Sequence, residues 1–250
     1  MPVSGTNINA FPMIKYLTLL LATTLLCCQQ QPAIDSKSKT LPPVGTFTGL
    51  IRYDKGICNF TDCTTKALYF ISDSTMSIPG YYKKACQPAE CPDESVFAIV
   101  KARLFKGADP HSDPGTLAII GIDSMAGQNW TNTCVPYEFW CTSTEPFWSL
   151  HISKAEKGLF FKNIGVETGK TFDWSQPVQA GNTLTYTVKN RIDPGESMTV
   201  TITKEACNDG MSDLQFNYSA TLKSGKETWK GCGVKWGEPL PKTIGAQNAE

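Results

Sequence analysis

Histidine is scarce, two residues in 250, which limits acid–base chemistry near neutral pH and imidazole metal sites. Basic runs are missing as well. The 23 lysines and arginines balance 23 acidic residues, leaving no cationic face for phosphates and arguing against a nucleic-acid partner. There is no Gly-x-Ser-x-Gly elbow, no His-Glu-x-x-His pair, no phosphate-binding loop and no dinucleotide fingerprint. No enzyme class is therefore indicated and no cofactor is implied. After residue 45 no stretch keeps a sustained 3.6-residue period. The apolar run Tyr16–Leu26 would rise only about 16 Å as a helix, about half the thickness of a hydrocarbon core, so it is too short to span.

That run suits the h-region of an export signal. It stops at Cys27-Cys28 instead of an Ala-x-Ala site, and in this it resembles a bacterial lipoprotein signal. Met13-Ile14-Lys15 directly before it makes an ordinary n-region, so the expected start is Met13. Cys28 has Leu25 three places before it and the small Cys27 just before it. Cys27, the alternative, follows the bulky Leu26. The resemblance implies cleavage before Cys28, a lipid on its sulfur and attachment to a membrane. Gln29-Gln30 lacks the Asp that marks inner-membrane retention, which points to an outer-membrane lipoprotein facing the periplasm or the surface.

Eight cysteines follow the junction: Cys58, Cys63, Cys86, Cys91, Cys134, Cys141, Cys207 and Cys232. An even number in an exported chain reads as disulfides, with connectivity left open. Cys58/Cys63 and Cys86/Cys91 are two C-x4-C pairs that could instead form a four-thiolate metal site. Zinc sites usually place two residues between paired cysteines, so disulfides are favoured and no metal is assigned.

Residues 1–27 read as the signal and 28–45 as a polar tether carrying Pro32, Pro42 and Pro43. Phe47, Gly49, Ile51 and Tyr53 then alternate with polar residues. Tyr186/Val188, Met198/Val200/Ile202 and Phe216/Tyr218/Ala220/Leu222 do the same later. The expected fold is all-β: two small antiparallel domains, meander or barrel-like, over 46–135 and 138–236, with a tail at 237–250. Gly107–Gly115 reads as a loop. His111 there, between Asp109 and Asp113, is a solvated turn residue before it is a cation ligand.

Glu145-Pro-Phe-Trp-Ser-Leu-His-Ile152, Cys207-Asn-Asp-Gly-Met-Ser-Asp213 and Gly231-Cys232-Gly233 resemble an uncharacterised family of bacterial envelope lipoproteins over about 138–235. The resemblance implies a small β domain with Cys207 bridged to Cys232. On a chain-entropy model that bridge contributes about 3 kcal/mol. It also implies kinship with lysozyme-inhibitor-like or heat-shock-associated lipoproteins, and it carries over no catalytic residue. Gly45–Ile51 followed by two close cysteines resembles the N-terminal domain of NlpE-like copper-resistance and envelope-stress lipoproteins. That pattern has C-x-x-C, whereas Cys58 and Cys63 are separated by four residues.

Glu145, Trp148, Asp209, Met211, Ser212 and Asp213 are the candidate binding rim. Two plainer readings stand beside it: Trp148 as core, and Asn208-Asp209-Gly210 as a turn locked by a disulfide. His151 reads as a packed or surface residue. The expected function is a lipid-anchored envelope protein with a protective or stress role, binding an envelope protein or a small ligand without turnover. The alternatives are an inhibitor of a hydrolase such as lysozyme and a copper- or zinc-binding sensor using Cys58, Cys63, Cys86 and Cys91.

Overall fold

Period-two alternation becomes strand almost throughout the computed structural model, which describes residues 40–54, 57–108, 114–163, 165–166 and 168–243. From Leu41 onward the chain forms one compact unit holding two curled sheets, each around its own core. The all-β class holds.

The first sheet is a closed barrel of β1 (Val44–Asp54), β2 (Ile57–Asp62), β3 (Leu68–Asp73), β4 (Ser95–Phe105) and β5 (Thr116–Gly127). Its order is β1-β2-β3-β5-β4, with β4 returning to β1. The pair β3–β5 is parallel, Phe70 opposite Thr116 through Asp73 opposite Ile119, which corrects the wholly antiparallel expectation. A parallel pair needs a long crossover, supplied here by helix α1 (Ile78–Ala85) and β4. This strand order, with a helix after β3, is that of an OB-type barrel. The helix itself left no period in the sequence because it is eight residues long and buries only Ile78 and Tyr82. Those two side chains join Ile51, Phe60, Val96, Val100, Leu117 and Ile119 in the barrel interior. Gly49 permits the closure: a Cβ there would meet Phe60 and the Thr61 carbonyl at 2.4 Å.

The second sheet contains β6 (Phe139–Thr144), β7 (Phe147–Ser153), β8 (Gly158–Asn163), β9 (Lys170–Asp173), β10 (Val178–Ala180), β11 (Thr183–Lys189), β12 (Ser197–Cys207), β13 (Leu214–Ser224) and β14 (Glu227–Lys235). A short β15 (Lys242–Thr243) adds to β13. The order β10-β11-β12-β13-β14-β6-β7-β8-β9 is antiparallel throughout, and β9 meets β11 again at the bridge Phe172–Asn190. The meander thus curls into a second, nearly closed barrel around Trp148, Leu150, Phe161, Phe172, Tyr186 and Trp229.

Segment Glu90–Glu94, between α1 and β4, and Ser95 at the start of β4 fasten the barrels together. Gly169 N donates to Glu90 O (2.9 Å), and Arg191 reaches Asp93 (2.9 Å). Lys162 pairs with Glu94 (2.6 Å), and Ser95 Oγ donates to Glu156 (2.6 Å). The disulfide Cys63–Cys134 adds a covalent tie from the β2–β3 turn to the linker.

Cys207–Cys232 is the second bridge, between β12 and β14, as the family resemblance implied. The expectation that all eight cysteines pair is corrected. Cys58, Cys86, Cys91 and Cys141 are free thiols, and the reason is placement. Cys58 packs against the first core, while Cys141 is sealed in the second. Cys86 caps α1 and joins the first core, and Cys91 turns its Sγ to Phe161 O of β8 (3.4 Å). Burial pushes the Cys58 and Cys86 thiols up to about 12.

Candidate functional site

The expected rim comes together only in part. Thr144 Oγ1 donates to Asp209 O (3.3 Å), which ties the Glu145 turn to the loop holding Asp209, Met211, Ser212 and Asp213. Glu145, Met211 and Asp213 are exposed. Trp148 is not part of it. Only 2 % exposed, it points into the second core and donates from Nε1 to Lys230 O (3.2 Å). The Asp209 carboxylate is occupied by its own loop, accepting from the Ser212 amide (2.8 Å), the Ser212 hydroxyl (2.8 Å) and the Met211 amide (3.2 Å). Burial alone would lift its carboxyl, but these bonds hold it below the usual range. Gly210, at φ +79°, completes this turn. Cys28, Cys27, His111, Asp109 and Asp113 lie outside the described residues.

A more complex site lies between the barrels. The outward residues of β1, β2 and β4 form two rows on neighbouring strands. Ser95, Arg52 and Asn59 make one row, and Phe97, Leu50 and Thr61 make the next. Leu68 and Phe70 of β3 extend these rows, both 49 % exposed. The linker residues Cys134–Pro136 and the β7–β8 turn residues Ala155 and Glu156 lie opposite. With Lys66 and the row residues other than Phe97 and Phe70, they line a cleft of about 510 Å³ with an apolar body of Leu50, Leu68, Val135 and Pro136.

Among the described residues four buried polar atoms lack a hydrogen bond: Asn59 Oδ1, Gln128 Oε1, His151 Nε2 and Glu156 Oε2. Asn59 and Glu156 belong to the cleft wall, and their unpaired oxygens are sealed from solvent. Glu156 Oε1 accepts from Ser95 Oγ (2.6 Å) and Gln128 Nε2 (3.4 Å). Glu156 Oε2 lies 3.4 Å from His151 Nε2, close enough for an ion pair but not aligned as a hydrogen bond. His151 projects from the outer face of β7, stacked on Trp140 at 4.3 Å and flanked by Tyr137 and Phe160. Burial drives its imidazole down to about 4, against the pull of Glu156 and with Lys162 adding to the fall. It is therefore neutral near pH 7, and it reaches the cleft only through Glu156.

No family model, curated protein or solved structure matches this chain.

The four-cysteine metal site loses Cys63 to its bridge with Cys134. A second cavity of about 510 Å³, between Lys83, Gln87, Glu90 and Thr168, holds none of the unpaired buried atoms. Sequence reading missed Asn59, Ser95, Gln128 and Glu156. Glu156 sits in Lys-Ala-Glu-Lys-Gly, which reads as a solvated hairpin turn, and the others are ordinary outward strand or loop residues.

Proposed function

We propose that the protein is a lipid-anchored binding protein of the bacterial envelope that takes its ligand, without turnover, in the cleft between the two barrels. The observation that carries this reading is the cleft itself. It is a preformed cavity of about 510 Å³ whose wall combines the apolar Leu50, Leu68, Val135 and Pro136 with a few polar side chains, Arg52, Asn59, Ser95 and Glu156, the usual composition of a small-ligand site. The β1–β3 outer face lining it is also where OB-type barrels engage ligands, an analogy of fold alone. The lipoprotein-like signal supports attachment through Cys28, which would hold the cleft near the membrane surface.

Thr61, on the cleft wall, provides the test. The chain from Cys28 onward, made without lipid, should bind an apolar fluorophore that brightens on burial. Thr61→Trp, which fills the cleft from an outward strand position, should abolish the signal. Undiminished binding by that variant would refute the cleft as the site. Anchoring is tested separately: Cys28→Ser should abolish incorporation of labelled palmitate in the intact cell, and retained label would refute it.

A further inference from the structure

We propose that one outward face of the first barrel, carrying Leu41, Val44, Phe70 and Phe105 around Arg103, rests on a phospholipid surface. The choice of occupant rests on the anchored reading above, because the chain enters the fold on this face.

Strand register gathers these side chains. Thr116 of β5 lies opposite Phe105 of β4 and, across its other edge, beside Phe70 of β3, so one row runs Phe70, Thr116, Phe105. The next row runs Ser72, Ala118, Arg103, Val44. Tyr69, Ile71, Leu104 and Leu117, the residues between these positions, pack on the barrel core, so both rows face outward. Val44, Phe70 and Phe105 remain 38 % to 49 % exposed, and Leu41 remains 65 % exposed. A single exposed apolar side chain is ordinary, but several on one face mark an interaction surface. Val178, Ile192 and Met211, also exposed, stand apart on an edge strand and on turns of the second barrel.

The chain arrives on the same face. Arg103 donates from Nη1 to Pro42 O, which holds the residues just before β1 against the outer side of β4. Residues 29–40 separate Cys28 from Leu41, and a chain of that length reaches at most about 45 Å. A tether of this reach turns a weak surface contact into an intramolecular one, so a modest patch suffices. Its charge also fits. Lys101 is matched by Asp123 (3.6 Å), but among the described residues no carboxylate pairs with Arg103 or with Lys106, next to Phe105. Cationic heads beside apolar side chains suit the phosphate level of a bilayer, with the apolar groups entering below it. Leu68, two residues before Phe70 on the same side of β3, lines the cleft, so cleft and docking face adjoin.

Co-sedimentation of the unlipidated chain from Cys28 onward with vesicles of phosphatidylglycerol and phosphatidylcholine tests this. The wild-type chain should bind. Leu41→Ser combined with Phe105→Ser should weaken binding by about tenfold or more, and Lys106→Glu by about fivefold. All three positions are exposed, so the thermal midpoint should stay unchanged. Val178→Ser, on the second barrel, should bind as the wild type does. No binding by the wild type, full binding by either face variant, or an equal loss with Val178→Ser would overturn the proposal. So would a dimer in sedimentation velocity without vesicles that Leu41→Ser/Phe105→Ser dissolves, since the face would then belong to a second copy. The palmitate label on Cys28 is read independently, so the anchor and the docking face fail separately.

Discussion

Lys162 of β8 places its Nζ 2.6 Å from Glu94 Oε1, joining the second barrel to the segment that leads into β4 of the first. Both groups are largely out of water, with the lysine side chain 16 % and the glutamate 9 % exposed. Burial works to lower the Lys162 ammonium, but the Glu94 carboxylate outweighs it and keeps the lysine charged. The same Nζ donates to Cys86 O (3.2 Å), so one side chain steadies the helix end and the joint together.

Removing one partner leaves the other buried and unpaired. Glu94→Ala should therefore cost about 3–5 kcal/mol, read as a fall in the urea midpoint of unfolding. A loss within experimental error of zero would mean that the joint does not depend on this pair.

Thiol counts test the bridges. The unlipidated chain from Cys28 with Cys28→Ser, denatured without reductant, should show four reactive thiols, from Cys58, Cys86, Cys91 and Cys141. Reduction should add four more and remove the stability of both bridges, on the chain-entropy model about 4 kcal/mol for Cys63–Cys134 and about 3 kcal/mol for Cys207–Cys232. Zero thiols before reduction would contradict the placement of the unpaired four.

Acid should weaken the fold through His151. Its folded value near 4 lies below the ordinary 6.5, so between those values the unfolded chain takes up a proton that the folded chain refuses. Stability falls from pH 6.5 down to about 4 and then levels, a contribution of about 3 kcal/mol in full. The charged groups that act on the ring are Glu156 and Lys162. His151→Phe should flatten the urea midpoint across this window relative to wild type. An unchanged slope would place the acid sensitivity elsewhere.

Trp148 belongs to the core, and its truncation should show it. Trp148→Ala should cost about 3–5 kcal/mol, without any role in ligand capture. Gly231→Ala should be destabilising as well, because its Cβ would sit 2.3 Å from Thr142 O and 2.7 Å from Trp148 Cζ2. Thermal unfolding of each variant checks both.

Much of the architecture was legible from local pattern. The alternation of Met198, Val200 and Ile202, and of Tyr218, Ala220 and Leu222, marks strands with one buried face, and all of these side chains are buried. Helix α1 was invisible because two inward residues make no period. The parallel pairing of β3 with β5 was invisible because register between distant strands leaves no mark on either one.

The candidate site was almost wholly illegible. Ser95, Asn59, Lys66 and Glu156 are separated along the chain and carry no shared spacing or motif. Their proximity arises where two closed surfaces meet, and side chains there face out of both cores, where periodicity predicts solvent. Sequence alone determined the β class and the two hydrophobic patterns, because each is a local property of neighbouring residues. Tertiary structure decided that Cys63 joins Cys134, that Trp148 is core, and that a glutamate in an ordinary turn is buried against a neutral histidine. Each of these depends on packing between segments distant in sequence, where burial and partner are set.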